Sequence, residues 1–251
     1  MSYKYGPSIV TDGLVFYVDA ANSKSYDGSA GGTTWTDLVG SNDGTLTNME
    51  TNPVNAGYVY DSANGGSINF DKTNDFVRVP DNAALQFGTG SFTASAWIYP
   101  VSAVDGRIIN TRGRGQGGQY SGYQFRTGES GSNWGFSGCA IDDASGSLKS
   151  YTGSYVYPKS SWYYVNMVYN TQNDLKFYVN GSLDGTLTVG AYGSISNSLP
   201  TAIGTSVAFN GVEGTYGQYF GGNISNVSLH NRALSTSEIT QNYNALKNRF
   251  I

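Results

Sequence analysis

Short β-prone runs, separated by Gly, Asn, Asp and Pro, recur about every ten residues along this chain, and that spacing constrains its fold more than any other feature. Gly13 to Asp19 carries apolar residues in both phases of the alternation, as a strand inside a two-layer sandwich does. Ser67 to Pro80 predicts a hairpin, with Ile68 and Phe70 before a polar turn and Phe76 and Val77 after it. Phe92, Ala94, Ala96 and Ile98 share one face of a strand over Phe92 to Tyr99 that Pro100 ends. Arg107 to Asn110, Tyr123 to Arg126 and Trp134 to Ile141 are further strands around the most glycine-rich loop, and Trp162 to Tyr169 is a longer one. Leu175 to Val179 leads into Asn180-Gly181, a type I′ turn signal, and returns through Leu183 to Val189. Residues 20–66 read as long loops carrying short strands. The alternation of Ile224, Val227 and Leu229 slips by one, which predicts a bulge near Asn226.

The last thirty residues behave differently. Ser235 and Glu238 have the S-x-x-E spacing of a capping box, and Leu234 is placed to staple onto Ile239 across the helix start. Ile239, Tyr243 and Leu246 then recur at helical spacing, so that stripe faces a core while Gln241, Asn242, Asn244 and Lys247 are expected to face water. The fold class that follows is all-β: a two-sheet antiparallel sandwich closed by one C-terminal α-helix. One domain spans residues 13–251, behind a polar arm of residues 1–12 that is either mobile or docked as a strand. Glycine at 34 and tyrosine at 20 in 251 residues, with only 13% charged, fit many short strands joined by small turns rather than a helical bundle.

Composition also removes function classes. A single cysteine, Cys139, forms no internal disulfide, so stability must come from core burial. A net charge of −4 gives no electrostatic footprint for nucleic acid or an anionic membrane. The apolar runs are too short to span a bilayer, and Met-Ser-Tyr-Lys lacks the apolar core of a signal peptide, so the expectation is a protein made in a cytoplasm.

Nine segments, in chain order, carry a resemblance. They include GLVFYVDA from Gly13, TWTDL from Thr34, FDKTNDFV from Phe70, FTASAWIYP from Phe92, WYYVNMVY from Trp162, AIG from Ala202 and GNISNVSLHNRALSTSEI from Gly222. Together they resemble the laminin-G-like jelly roll of the concanavalin A-like lectin and glucanase superfamily. The leader followed by GLVFYVDAANSKSY is similar to versions of this domain in virion proteins of tailed bacteriophages. The superfamily holds glycoside hydrolases, calcium lectins and non-catalytic adhesion modules, so function has to be read from the site.

Glycosidases need two carboxyl groups flanking the scissile bond. The superfamily's E-x-D-x-E strand is missing here, and the four glutamates stand at 50, 129, 213 and 238. Asp142-Asp143 reads as a turn pair rather than a catalytic one. His230, the only histidine, reads as a polar strand end, and Cys139 as a buried thiol. Where pentraxin-type lectins place acidic calcium ligands after the motif matching Ala202-Ile203-Gly204, this chain has Thr205-Ser206-Val207. Asp71 and Asp75 could hold a single ion, but capping of their turn explains them more simply. No cofactor is expected.

The remaining signal is aromatic. Tyr120, Tyr123 and Trp134 border one glycine-rich loop and Phe209, Tyr216 and Tyr219 another, and such rings stack on sugar faces or anchor protein interfaces. Arg107, Arg112, Arg114 and Arg126 add positive charge near the first. The expected function is a non-enzymatic virion surface protein, a tail-fibre or adhesion component or a capsid decoration. It would be multimeric, in contact with other virion proteins and able to bind a carbohydrate or host receptor. A glycan-degrading enzyme and a bacterial carbohydrate-binding adhesion module are the alternatives.

Overall fold

A computed structural model describes residues 7–28, 32–50, 60–102, 105–114, 119–136, 139–143, 145–153, 155–207 and 217–251. Two antiparallel sheets face each other. The first runs Ser182–Thr188, Asp174–Val179, Tyr163–Asn170, Phe92–Ser102, Gly221–His230, Ser67–Asp71 and Tyr60–Asp61, with Leu14–Asp19 pairing the far half of Gly221–His230. The second runs Leu148–Tyr151, Cys139–Asp142, Tyr120–Ser130, Arg107–Asn110, Thr201–Ile203, Phe76–Val79, Gly44–Thr47 and Thr34–Trp35. Asn133–Phe136, Tyr157–Pro158 and Gly113–Arg114 extend it from Tyr120–Ser130.

Alternation decides what each sheet buries. From the first sheet, Ala94, Ala96, Ile98, Val165, Met167 and Phe177 enter the inter-sheet core; Val77, Ile109, Tyr123, Phe125 and Ile141 meet them from the second. The opposite face of the first sheet is also apolar, and Trp97, Tyr164, Val168 and Tyr178 form a separate core with Leu234 and Ile239. The helix Thr236–Leu246 covers that face, and the Trp97 ring stacks on Phe250 at 4.2 Å between centroids. Ser235 caps this helix with both halves of the capping box present, as its sequence predicts. The Asn180-Gly181 turn has positive φ at both residues and joins Val179 to Ser182, a type I′ hairpin. The pairing of Gly221–His230 with Phe92–Ser102 shifts between Ile224 and Asn226, which is the expected bulge.

Two expectations are corrected. Ser67–Asp71 and Phe76–Val79 are not a hairpin: the first pairs Gly221–His230 and the second pairs Thr201–Ile203 and Gly44–Thr47, so residues 72–75 cross between the sheets. Both flanks must bury apolar side chains against each other across the sandwich, and a hairpin would put them in one layer. Asn242 does not face water. It is 3% exposed and its Oδ1 accepts the Val10 backbone N–H at 2.7 Å, because residues 7–12 lie across the helix. The His230 Nε2–Val10 carbonyl hydrogen bond at 3.0 Å and that from Arg232 Nε to the Asp12 carbonyl hold the same segment, which is therefore docked from residue 7 onward. Gly204, at φ 86°, closes the Ala202-Ile203-Gly204 motif because a Cβ there would strike the Phe70 ring.

Ile239 is fully buried under the first sheet, so Ile239→Ala should cost about 2–5 kcal/mol, read as a lowered denaturant midpoint at unchanged m-value. Glu238 forms a two-point pair with Arg232, at 2.6 and 3.0 Å, and its carboxyl is held down at about 2 by that hydrogen bond first. A depressed carboxyl adds stability above its ordinary value of 4.5 and loses it as pH falls toward 2. Glu238→Gln should therefore flatten part of the acid limb of Tm against pH while leaving the limb above pH 6 level.

Candidate functional site: a cleft on the outer face of the second sheet

The outer face of the second sheet carries no α-helix among the described residues, and the row of side chains along it is small or polar. In register across the ladder stand Ser150, Ala140, Gln124, Asn110 and Ala202. They occupy the phase opposite to Tyr123, Phe125, Ile109 and Ile141, which enter the core. The two alanines keep this row low, and a cleft of about 320 Å³ opens above Gln124 and Asn110. Its walls are Arg107, Arg112, Arg126, Tyr120, Ser206 and Gln218.

Each guanidinium is fixed by its neighbours. Arg107 and Arg126 are paired across the strands next to a register shift, and like charges so placed repel. Asp105, in a left-handed turn with φ 48°, resolves the conflict: its Oδ1 accepts from Arg107 Nη1 at 2.7 Å and Arg126 Nη1 at 2.8 Å. Gln218 Nε2 donates to its Oδ2 at 2.7 Å. Burial works against the Asp105 charge, but the hydrogen bond and charge of Arg107 with the charge of Arg126 outweigh it and hold the carboxyl below the usual range. Burial pulls Arg107 down to about 10, which leaves it charged at neutral pH. Arg112 donates through Nε and Nη2 to Asp142 Oδ2, at 3.1 and 2.8 Å, and its guanidinium lies over the Tyr120 ring at 4.5 Å. Burial raises the Asp142 carboxyl, and Arg112 only partly offsets it.

Several polar atoms here are without a partner. Gln124 is 7% exposed and lines the cleft, where its carboxamide has no protein partner among the described residues and keeps contact with solvent. Ser206 Oγ and Arg107 Nε are buried and unpaired, on residues each 3% exposed. Ser206 Oγ and Arg107 Nε are closed to solvent, so their cost falls on the fold, and the Gln124 carboxamide on the cleft floor is the group a polar ligand can pair.

The aromatic residues that the sequence marks are not brought together. Tyr120 stands on the cleft wall, half-buried. Tyr123 and Trp134 are corrected: both are core residues at 1% and 0% exposure. Tyr123 packs on Phe92 at 4.7 Å and Trp134 on Tyr157 and Tyr163 at 5.1 Å, so neither ring meets a ligand at the surface. Tyr219 is half-buried and does not line the cleft. Phe209 and Tyr216 lie outside the described residues, as does the side chain of Arg114. Gln124, Asn110 and Ser206 were missed; the signal for Gln124 was its phase in Tyr123-Gln-Phe-Arg126, where apolar and polar residues alternate cleanly.

The other chemical candidates have structural work. Asp143 accepts from the backbone N–H of Ser145, Ser147 and Gly193, and although burial opposes its charge these bonds keep its carboxyl low. Asp71 Oδ1 accepts from Thr73 N and Asn74 N, and Asp75 Oδ2 from Asp71 N, so these oxygens cap the crossover turn. Cys139 is buried in the inter-sheet core, far in the fold from His230 on the other face of the first sheet. Among the described residues no three His, Cys, Asp or Glu side chains gather as a metal site, and no helix is long and apolar enough to cross a membrane.

A two-sheet sandwich with one face sealed by a helix and the other bearing a polar cleft defines a lectin-type jelly roll. The family profile for laminin G domains of the concanavalin A-like lectin/glucanases superfamily matches residues 71–240, and the chain belongs to that superfamily. No curated protein matches the sequence. Among solved structures, the binding domain of Paraclostridial Mosquitocidal Protein 1 is similar at a TM-score of 0.64 and 17% identity, over 93% of this chain and 52% of that one. Trypanosoma rangeli sialidase matches at 0.58 and 20%, over 96% of this chain and 34% of its own. Domain 4 of AbnA, an extracellular arabinanase from Geobacillus stearothermophilus in complex with arabinotriose, matches at 0.59 and 15%, over 92% and 98%. At these identities the likeness is one of fold. The chain spans about half of the mosquitocidal binding domain and a third of the sialidase.

Removing Arg112 alone would leave the 2%-exposed Asp142 carboxylate unpaired, so Arg112→Ala should destabilise by about 3–5 kcal/mol. Arg112→Gln with Asp142→Asn, which replaces the ion pair by two amides, should recover most of that loss in thermal denaturation.

Proposed function

We propose that this chain is a non-enzymatic glycan- or receptor-binding module whose ligand occupies the cleft over Gln124 and Asn110. The observation that carries the reading is the Gln124 carboxamide, which lines that cleft without a protein partner among the described residues, below the guanidiniums of Arg107, Arg112 and Arg126. A volume near 320 Å³ lies at the lower end of the range for ligand pockets, about 300–1,000 Å³, which suits a short stretch of glycan. The arabinotriose complex of a similar domain, domain 4 of an extracellular arabinanase, supports carbohydrate as the ligand class. The non-enzymatic part draws on the carboxylates. Asp105 and Asp142 are tied to guanidiniums and neither lines the cleft, whereas glycosidases need two carboxyls flanking the bond.

The finer reading places the module on the surface of a tailed-phage particle, in a tail fibre or as a capsid decoration, beside other virion proteins and further copies of itself. It draws on the resemblance of the leader and GLVFYVDAANSKSY to virion proteins. Mass spectrometry of purified particles tests it directly, and absence of the chain from heads and tails would end it.

Binding to immobilised glycans, without release of reducing ends, is the expected result for the purified chain; turnover of any bound polysaccharide would overturn the non-enzymatic reading. Gln124→Leu should weaken binding about tenfold while Tm stays level or rises, because an apolar isostere replaces an amide with no partner. Unchanged binding in that variant would move the site elsewhere.

A further inference from the structure

The cleft has a chemistry more specific than polarity. Three guanidiniums line it, and the two carboxylates that position them, Asp105 and Asp142, are not on its lining. Asp105 and Asp142 each spend their contacts on holding arginines in place, and Arg112 is fixed between Asp142 and the Tyr120 ring. Arginines so arranged lose little side-chain freedom when they engage a ligand, and a planar guanidinium recognises a planar carboxylate through paired hydrogen bonds. Beneath them the Gln124 carboxamide offers both a donor and an acceptor without a protein partner among the described residues. A neutral sugar would satisfy this floor but bring no charge to the three guanidiniums of the wall.

Resting on the glycan-binding reading, we propose that the ligand is an acidic glycan, in which a sugar-ring carboxylate meets the Arg107, Arg112 and Arg126 wall while a neighbouring hydroxyl bonds Gln124. The ring with its carboxylate is the recognition unit, and the positive wall selects against neutral chains of the same length. A phosphate-free, carboxylate-bearing sugar is the class that uses both halves of the cleft.

The test is titration calorimetry of the full chain with oligogalacturonate, a hyaluronate oligosaccharide and sialyllactose, each beside its carboxyl-reduced derivative. At least one acidic probe should bind about tenfold or more tightly than its reduced form, the difference one charge-assisted hydrogen-bonded contact makes. That preference should shrink as salt is raised. Arg126→Gln, which leaves Asp105 paired to Arg107 and Gln218, should lower acidic-probe affinity about tenfold and change reduced-probe affinity by less than about twofold. Arg112→Gln with Asp142→Asn should do the same and keeps the fold intact if Arg126→Gln does not. Equal binding of acidic and reduced probes would overturn this inference and leave the glycan reading standing. Binding of a neutral arabinan or glucan alone would do likewise. Binding of polyglutamate with none of the sugars would overturn both.

Discussion

The first sheet is apolar on both faces, and the rest of the molecule is arranged around that constraint. Ala96 and Ile98 enter the inter-sheet core while Trp97 between them points the other way, so no single partner layer can bury the strand Phe92–Ser102. The second sheet takes one face. The helix Thr236–Leu246, with Leu234 and Phe250 at its ends, takes the other. Burying rings of this size contributes roughly 1.5–3 kcal/mol each, which is why the helix is closely capped and why residues 7–12 are drawn across it to Asn242 and His230. With the only described α-helix committed to the first sheet, the outer face of the second carries no α-helix among the described residues, and the cleft falls there.

The two faces carry different polar groups. On the helix side Val10 N–H pairs with Asn242, Thr93 Oγ1 with the Leu234 N–H and Glu238 with Arg232, while Trp97 Nε1 and His230 Nδ1 are buried without a partner among the described residues. Groups on the cleft side are partly unpaired, and Gln124, Ser206 and Arg107 carry polar atoms whose hydrogen bonds the fold does not complete. The cost is tolerated because the core that surrounds it is large and continuous, running from Phe16 through Phe125 to Phe220.

Where a local rule fixes a geometry, the amino-acid sequence was legible. Ser235 and Glu238 gave the helix start, Asn180-Gly181 gave the hairpin, and the slipped alternation after Ile224 gave the bulge. What it hid depends on partners distant in sequence. Nothing local distinguishes a hairpin at residues 72–75 from a crossing between sheets, since both need a turn capped by Asp71. Asn242 reads as a solvent residue on a helical wheel, and only the chain more than two hundred residues away makes it a buried acceptor. Tyr123 and Trp134 look like loop rings because glycine surrounds them. The pleat decides otherwise, since Tyr123 shares its phase with Phe125 and leaves Gln124 and Arg126 to face outward.

The arginines sharpen the same point. Four of them near a glycine-rich loop are ambiguous in sequence, because a surface guanidinium most often bridges local carbonyls and contributes little. What changes their meaning is the pair of aspartates that hold them. Asp105 uses a left-handed backbone turn to sit between two strands' arginines that would otherwise repel, and Asp142 uses the last position of its own strand to reach Arg112 across the ladder. Carboxylates that do not line the cleft align the donors while leaving the guanidiniums on its wall. Bond cleavage would instead call for two carboxyls flanking the scissile bond. On the proposed reading, aspartates set back from the lining and arginines brought onto it are therefore the arrangement that holds an acidic ligand.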